Sequence, residues 1–207
     1  MLAGSPPVED LLRSEHQTCD VSVAVDGGYL PFHKAGLEPD LVLGDMDSLP
    51  SSQRGKINYL EIMDQNQTDL QKALNHILKS YPVKNIRILG GGGARTDHLM
   101  HNLHICASIH PTIGVTFKQD FPETDQFSLE LIQRITPDIH FDLPVSIGNT
   151  LSILPISTFS GLTSHGLHWE FANAHSSATF MSQSNRVAQA SLSFDLVSGS
   201  AYIAVYQ

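Results

Sequence analysis

The chain has 207 residues and a formal net charge of −9, from 12 Lys and Arg against 21 Asp and Glu. This acidic balance argues against binding to the phosphate backbone of nucleic acids, and a hydrophobic content of 41% with only 16% charged residues argues against disorder. No apolar run reaches the roughly 20 residues of a membrane-spanning helix, and the first residues lack a secretory-signal pattern, so we expect a cytoplasmic protein without membrane attachment.

The first part of the chain alternates short apolar runs with helical patterns, beginning with a predicted helix soon after Pro7. The next predicted elements, in chain order, are strand 21–25, strand 41–43, helix 68–80, strand 86–89 and helix 97–109. Thr68 and Gln71 have the spacing of a capping box at the start of helix 68–80. Strands that alternate with helices predict a mainly parallel, Rossmann-like α/β sheet.

The sequence changes in character from about residue 125, where runs become short, β-rich and separated by turns. Predicted β-rich runs cover residues 139–147, 150–156, 160–171, 178–182, 190–197 and 201–206. In the run 190–197, the apolar residues Leu192, Phe194 and Leu196 alternate with polar ones. Short runs of this kind favour an antiparallel sandwich or a barrel-like domain. We therefore predict an α/β domain over 1–122 and an all-β sandwich over 123–207.

Acidic and glycine residues follow the predicted strands at the points where the strands end. Seven of the fourteen Asp lie between residues 26 and 97. The residues concerned are Asp26 and Gly27, then Gly44, Asp45 and Asp47, then the segment from Asp64 to Asp69, and then Gly90 to Gly93 with Arg95 and Asp97. In an open α/β sheet, ligands bind beyond the carboxyl ends of the strands, so these residues are expected at one edge.

This set of residues suits the binding of a polyphosphate with Mg²⁺. Magnesium prefers oxygen ligands and commonly takes one or two carboxylates together with substrate phosphates, and Asp45 and Asp47 could face one ion. Glycine lets backbone N–H groups approach phosphate oxygens closely, and Arg95 could contact a phosphate with two hydrogen bonds. The four glycines match neither the P-loop nor the dinucleotide-binding motif.

Each of these residues also has a purely structural interpretation. Asp45 and Asp47 could be turn residues, and Thr68 could be only a helix cap. Asp69 and Asp97 could favour the positive end of a helix dipole. The combination is more informative than its members, because unrelated turns would not all bring acidic residues to one edge.

The series of motifs resembles the thiamine pyrophosphokinase (thiamine diphosphokinase) family. The corresponding segments here are Asp26-Gly27-Gly28, Pro39-Asp40 with Gly44-Asp45-Met46-Asp47-Ser48, Asp64-Gln65-Asn66-Gln67-Thr68-Asp69, Arg95-Thr96-Asp97-His98, Gly166-Leu167-His168-Trp169 and Ser184-Asn185. Their order and rough spacing agree with the family over nearly the whole chain.

The resemblance implies a homodimer whose site is shared between subunits, and the conversion of ATP and thiamine to AMP and thiamine diphosphate. Implied catalytic residues are Asp45, Asp47, Asp69, Asp97 and Arg95, of which Asp45, Asp47 and Asp69 would hold Mg²⁺. Implied ATP contacts are Asp26, Gly27, Gly44, Gln65, Thr68, Gly91 and Gly92. Implied thiamine contacts are Trp169, Ser184 and Asn185.

Several interpretations stay open at this point. Asn66 stands where the family usually has a second Asp, which removes one carboxylate. Trp169, the only tryptophan, could pack in the core of the β domain or stack on the flat thiamine cation. Ser184 and Asn185 could form a hairpin turn instead of a thiamine contact.

Two other functions compete with the one that the resemblance implies. One is a pyrophosphokinase that acts on another hydroxymethyl heterocycle, such as a pterin. The other is a non-catalytic sensor of thiamine or nucleotide, although a sensor has no need to keep the four carboxylates Asp45, Asp47, Asp69 and Asp97.

Overall fold

A computed structural model of the chain describes residues 7–45, 57–91, 95–121, 128–180 and 182–207. The chain forms two compact units, the first made of Met1–Val83 and Arg87–Asn102 and the second of Lys84–Ile86 and Leu103–Gln207. Within the described residues, no helix has the length and apolar character needed to cross a membrane.

The first unit is built on a three-stranded parallel sheet. Its elements are α1 (Glu9–Thr18), β1 (Val23–Val25), a 3-10 turn (Asp26–Gly28), α2 (Tyr29–Lys34), β2 (Leu41–Gly44), β3 (Tyr59–Glu61) and α3 (Asp69–Ser80). The strand order is β1-β2-β3, and Val25 lies opposite Leu43, which lies opposite Leu60. The carboxyl ends of all three strands therefore meet at one edge of this sheet.

Both faces of β1 and β2 are covered, which explains why these two strands are continuously apolar. Val23, Val25 and Leu43 pack with Ala73 of α3 in one buried cluster. Ala24 and Val42 point the other way and pack with residues of α1 and α2 such as Leu12 and Phe32. Alternate residues of one strand thus supply two separate cores.

Two elements are divided between the units: β4 (Asn85–Leu89) and α4 (Thr96–Ala107). The second unit continues with β5 (Gly114–Asp120), β6 (Leu129–Ile135), β7 (Thr150–Leu154), β8 (Phe159–Ser160), β9 (Thr163–His165), β10 (Asn185–Arg186), β11 (Ser193–Asp195), β12 (Ser198–Gly199) and β13 (Ala201–Tyr206). The main sheet has the order β10-β7-β13-β6-β5-β4, and β11-β9 and β12-β8 form two small antiparallel pairs. The coarse prediction of an α/β part followed by a β-rich part is confirmed.

The core of the second unit is a large apolar cluster that includes central strands of its main sheet. Leu151 and Ile153 of β7 and Ile203 and Val205 of β13 are buried there. Strand β13 pairs with β6 along residues 201–206 and with β7 along residues 202–206, so the strand covers the predicted run 201–206.

Strands β5 and β6 were not among the predicted elements. In β6, the buried positions include Gln133 and Arg134. Because these residues are polar, the strand does not form a continuous apolar run in the sequence. The division into units also differs from the predicted boundary between residues 122 and 123, because β5 pairs with β6 along residues 115–120.

The predicted β-rich run 139–147 is wrong as a strand, although its apolar residues do face a core. Phe141, Leu143 and Val145 pack against the main cluster of the second unit without belonging to a ladder. The side chain of Gln133 replaces a neighbouring strand, since it donates to the His140 carbonyl at 3.0 Å and accepts from the Asp142 N–H at 3.0 Å. The described residues of run 178–182 likewise contain no strand.

A carboxylate clamp joins the starts of β1 and β2 and provides a test by pH. Asp40 accepts hydrogen bonds from the Ser22 backbone N–H and hydroxyl, both at 2.7 Å, and the first of these bonds chiefly lowers the pKa of the Asp40 carboxyl. A lowered folded-state pKa gives stability that is present above the unfolded pKa of about 3.9 and lost as pH falls through the folded value. We expect Asp40→Asn to lower the free energy of unfolding by about 1 kcal/mol at neutral pH.

Urea unfolding at pH 7, 5, 4 and 3 measures this effect. The difference between the unaltered chain and Asp40→Asn should shrink towards acid, whereas the exposed Asp138→Asn serves as the matched control. A difference that stays constant across this range would contradict the clamp.

Candidate functional site

The ends of β1 and β2 approach each other closely in the first unit. Asp26, the first residue after β1, has a positive φ of 45°, which is uncommon for a residue with a side chain. A Cβ atom built on Gly44 would lie 3.1 Å from both Cα and Cβ of Asp26, so a side chain at this position would require the two strand ends to move slightly apart. Asp45 follows Gly44 directly, so two acidic residues stand at neighbouring strand ends.

The segment after β3 is organised around the carboxylate of Asp64. It accepts from the Asn66 backbone N–H at 2.9 Å, from Asn66 Nδ2 at 3.1 Å and from Gln67 Nε2 at 2.8 Å. These bonds, led by the Asn66 N–H, lower the pKa of Asp64. Because an aspartate at position 66 could not donate its side chain to Asp64, Asn66 suits this loop.

Thr68 is a helix cap, as one of its two interpretations requires. The Gln71 backbone N–H donates to Thr68 Oγ1 at 3.3 Å, and the Thr68 N–H donates to Gln71 Oε1 at 2.9 Å, which completes the predicted capping box at α3. The start of the helix is therefore set by local side-chain bonds.

Asp69 forms an ion pair with a lysine that sequence reasoning did not single out. Lys72 Nζ lies 3.0 Å from Asp69 Oδ1, and Lys72 is only 4% exposed. The charge of Lys72 also contributes to the lowered pKa of Asp64. Lys72 lies off the apolar stripe of α3, so the helical period assigns it to solvent. The only sequence feature that indicated the ion pair was the spacing of three residues between Asp69 and Lys72.

The glycine-rich segment after β4 is fixed to the following helix. Gly90 has a φ of 66°, and the carbonyl of the buried Gly91 accepts from Asn102 Nδ2 at 2.9 Å. Gly92 lies outside the described residues. Gly27 lies in the 3-10 turn that follows β1. The described glycines thus stand at the carboxyl ends of their strands.

Arg95 and Asp97 bind each other at the start of α4. Arg95 Nη2 donates to Asp97 Oδ2 at 2.5 Å and Nε donates to Oδ1 at 3.1 Å, with both side chains about two-thirds exposed at 67% and 65%. The hydrogen bonds between them raise the pKa of Arg95 and lower that of Asp97. Arg95 therefore neutralises a carboxylate that the sequence also predicted for the site.

The predicted metal ligands are only partly covered by the structure. Asp45 is half-buried at the end of β2, Asp69 is paired with Lys72, and Asp47 lies outside the described residues. Gln65 is exposed. Among the residues that the structure describes, no group of three or more His, Cys, Asp or Glu is arranged to hold a metal ion.

In the second unit, Trp169 lies at the surface and is joined to Asn185. Trp169 is 59% exposed, so its interpretation as a core residue of the β domain is wrong. The Trp169 backbone N–H donates to Asn185 Oδ1 at 3.2 Å, and Asn185 Nδ2 donates to the Trp169 carbonyl at 2.7 Å. The His168 ring meets the indole edge-on, with centroids 4.4 Å apart.

Ser184 and Glu170 shape the backbone around this tryptophan. Ser184 has a φ of 56°, typical of a turn, and its N–H donates to Ser152 Oγ at 3.1 Å. The Glu170 carboxylate, which sequence reasoning missed, accepts from the N–H groups of Gly166 at 2.7 Å and Leu167 at 3.0 Å. An acidic residue three or four positions after a glycine turn was the only signal available for it.

Two protein-family models match separate parts of the chain. The model "Thiamin pyrophosphokinase, catalytic domain" matches residues 12–117, and "Thiamin pyrophosphokinase, vitamin B1 binding domain" matches residues 136–199. A curated thiamine pyrophosphokinase of Bacillus subtilis (strain 168) is 32% identical over 89 residues. That alignment covers 40% of this chain and 41% of the relative, so it spans less than half of either protein.

Solved structures resemble the chain over its whole length. The thiamine pyrophosphokinase of Bacillus subtilis has a TM-score of 0.77 at 24% identity, covering 100% of this chain and 97% of that chain. The enzyme of Geobacillus thermodenitrificans gives 0.74 at 23%, covering 100% and 96%. The yeast enzyme gives 0.73 at 19%, covering 99% and 84%. At these identities the likeness establishes the fold.

Proposed function

The chain belongs to the thiamin pyrophosphokinase family, and from that premise we propose that it transfers the pyrophosphoryl group of ATP to the hydroxyl of thiamine, giving thiamine diphosphate and AMP. The observation that carries the proposal is the close approach of Gly44 to Asp26. It brings two acidic strand ends together within the part of the chain that matches the catalytic family model. Acidic residues at a parallel sheet edge suit a polyphosphate bound with a divalent cation.

Asp45, Asp47 and Asp69 are the proposed holders of Mg²⁺. The donor set fits this ion, because Mg²⁺ prefers oxygen ligands and usually takes only one or two protein carboxylates. When bound, Mg²⁺ neutralises charge on the phosphates of ATP. Asp26, close to Gly44, adds a further carboxylate at the same edge.

The remaining proposed ATP contacts come from backbone groups and polar side chains: Asp26, Gly27, Gly44, Gln65, Thr68, Gly91 and Gly92. Arg95 is proposed to contact the transferred phosphates after leaving Asp97. This exchange has a low cost because exposed ion pairs contribute only about 0–1 kcal/mol. Phosphoryl-type transfer depends mainly on positioning and electrostatic stabilisation, which these groups can supply.

In the proposed reaction, the thiamine hydroxyl oxygen attacks the β-phosphorus of ATP. A bond forms between these two atoms, the bond from the β-phosphorus to the oxygen shared with the α-phosphate breaks, and AMP leaves with that oxygen. The hydroxyl proton passes to the carboxylate of Asp69 or Asp97, or to a phosphate oxygen. Lys72, whose Nζ lies 3.0 Å from Asp69 Oδ1, places a positive charge beside one of these proposed acceptors.

We assign thiamine to the second part of the chain, with Trp169, Ser184 and Asn185 as the binding segment. An exposed indole offers a flat face to the flat thiamine cation. In this proposal residues 1–122 bind ATP and Mg²⁺, residues 123–207 form a β-sandwich that binds thiamine, and a homodimer shares each site between subunits.

The release of AMP from ATP and Mg²⁺, with and without thiamine, tests the function. Thiamine-dependent AMP with an equal amount of thiamine diphosphate supports it. ADP in place of AMP would contradict attack at the β-phosphorus. Turnover only with another hydroxymethyl heterocycle, such as a pterin, would identify a different acceptor. Saturable thiamine binding without turnover would identify a sensor.

Replacing Trp169 with Ala should raise the KM for thiamine roughly 5–150-fold, since stacking and cation–π contacts contribute on the order of 1–3 kcal/mol. The thermal unfolding midpoint should hardly change, because the side chain is exposed. Steady-state kinetics over a thiamine series, with a melting curve, measure both quantities.

Trp169→Phe is the matched control, since it keeps a flat aromatic ring and should retain most of the affinity. An unchanged KM in Trp169→Ala would remove Trp169 from the thiamine site. Unfolding of that variant would contradict the surface role.

A further inference from the structure

The side chain of Asn185 is occupied by backbone groups. It is only 4% exposed. Its Oδ1 accepts from the Trp169 N–H at 3.2 Å and from the Arg186 N–H at 2.8 Å, and its Nδ2 donates to the Trp169 carbonyl at 2.7 Å. Both lone pairs of Oδ1 are therefore used, because an amide oxygen has two acceptor sites.

The two bonds to Trp169 continue a strand pairing by one more step. Leu167 lies opposite Val187 in an antiparallel bridge, and the His168 N–H donates to the Arg186 carbonyl at 2.9 Å. The same register puts Trp169 opposite Asn185. The Asn185 backbone, however, belongs to β10, where it lies opposite Leu151 of β7. The Asn185 side chain thus supplies the N–H and C=O partners that a neighbouring strand would give.

We propose that Asn185 is a positioning residue that fixes the backbone of Trp169, so that the indole is held outward for thiamine, and that it does not itself bind thiamine. This inference rests on the proposed function. An exposed aromatic side chain on a loose backbone would lose conformational freedom on binding, and fixing it beforehand lowers that cost. The His168 ring, edge-on to the indole, supports the same orientation.

The single tryptophan makes the inference directly measurable in the full-length protein, because its fluorescence reports on Trp169 alone. Asn185→Ala removes all three side-chain bonds and should lower the fluorescence anisotropy of the indole. It should also raise the KM for thiamine roughly tenfold, because two of the three lost hydrogen bonds are those that hold Trp169. The effect on kcat should be smaller. Asn185→Asp keeps the acceptor but sets a carboxylate oxygen against the Trp169 carbonyl in place of the donor, and should change both quantities in the same direction as Asn185→Ala.

Asn149→Ala is the matched control in the same unit. Its Oδ1 accepts from the Ser146 N–H at 2.7 Å, so the substitution removes a side-chain amide that bonds a backbone N–H other than that of Trp169. Its anisotropy and its KM should equal those of the unaltered chain. If Asn185→Ala does not fold, the comparison between Asn185→Asp and Asn149→Ala decides the question.

Two outcomes overturn the inference. A raised KM with unchanged Trp169 anisotropy would mean that Asn185 binds thiamine itself. Unchanged values of both quantities would mean that Asn185 has no role in the site. Failure of the proposed function is distinguishable, because the unaltered chain would then release no thiamine-dependent AMP from ATP. The anisotropy comparison would still decide whether Asn185 fixes Trp169.

Discussion

Asp45→Asn is expected to lower kcat/KM for thiamine diphosphate formation about 10³-fold, which corresponds to roughly 4 kcal/mol of transition-state stabilisation. The substitution preserves the shape of a half-buried side chain at the end of β2 and removes its charge. Lys and Arg total only 12 in the chain, so the phosphates of ATP depend on a bound cation for neutralisation. Initial rates at saturating ATP over a range of Mg²⁺ concentrations measure the loss.

Asp20→Asn is the matched control, since Asp20 is exposed and precedes β1, at the opposite end of that strand from Asp26. It removes the same charge from the same unit and should leave the rate within about twofold. Asp47→Asn should resemble Asp45→Asn. Near-normal turnover in both Asp45→Asn and Asp47→Asn would remove the two residues from the metal role. A variant that loses its cooperative thermal unfolding would show that the loss of activity comes from misfolding instead.

Features that depend on local sequence were predictable. The Thr68–Gln71 capping box and the start of α3 involve residues three apart, and the structure contains both. The apolar runs of β1 and β2 are short, buried and followed by Gly or Asp, which is typical of strands in a parallel sheet. The positions of Asp26 and Asp45 at adjacent strand ends follow from that topology alone.

Features that depend on distant partners were not predictable. The burial of Lys72 depends on how α3 packs on its sheet, and the Asn185 side chain bonds the backbone of Trp169, 16 positions away. The run 139–147 alternates like a strand because alternate residues face a core, while its pairing partner is the side chain of Gln133. Periodicity reports which residues are buried and carries no information about what binds the backbone.

The buried Arg134 of β6 connects that strand to the end of α4. It is 1% exposed, and its guanidinium donates to the carbonyl oxygens of Cys106, Ile109, His110 and Ile113 at 2.6–3.0 Å. Cys106 lies in the last turn of α4, where carbonyl groups lack partners within the helix and carry its negative dipole end, and the other three residues follow the helix, so a cation suits this segment. Burial lowers the pKa of Arg134 and raises that of the neighbouring Cys106 thiol to about 12.

Arg134→Met should therefore lower the free energy of unfolding by about 3–5 kcal/mol, because it removes four hydrogen bonds to carbonyl oxygens around the end of α4, two of them in a buried environment. Arg134→Lys should recover only part of this, since an ammonium group cannot reproduce the planar fork of donors. Urea unfolding measures both, with Arg186→Met as control, because Arg186 is exposed and its bond to the Gly148 carbonyl is 3.5 Å long. A loss below about 1 kcal/mol in Arg134→Met would mean that water replaces the guanidinium at these carbonyls. A large loss that Lys does not repair would establish that the end of α4 depends on the geometry of the guanidinium as well as its charge.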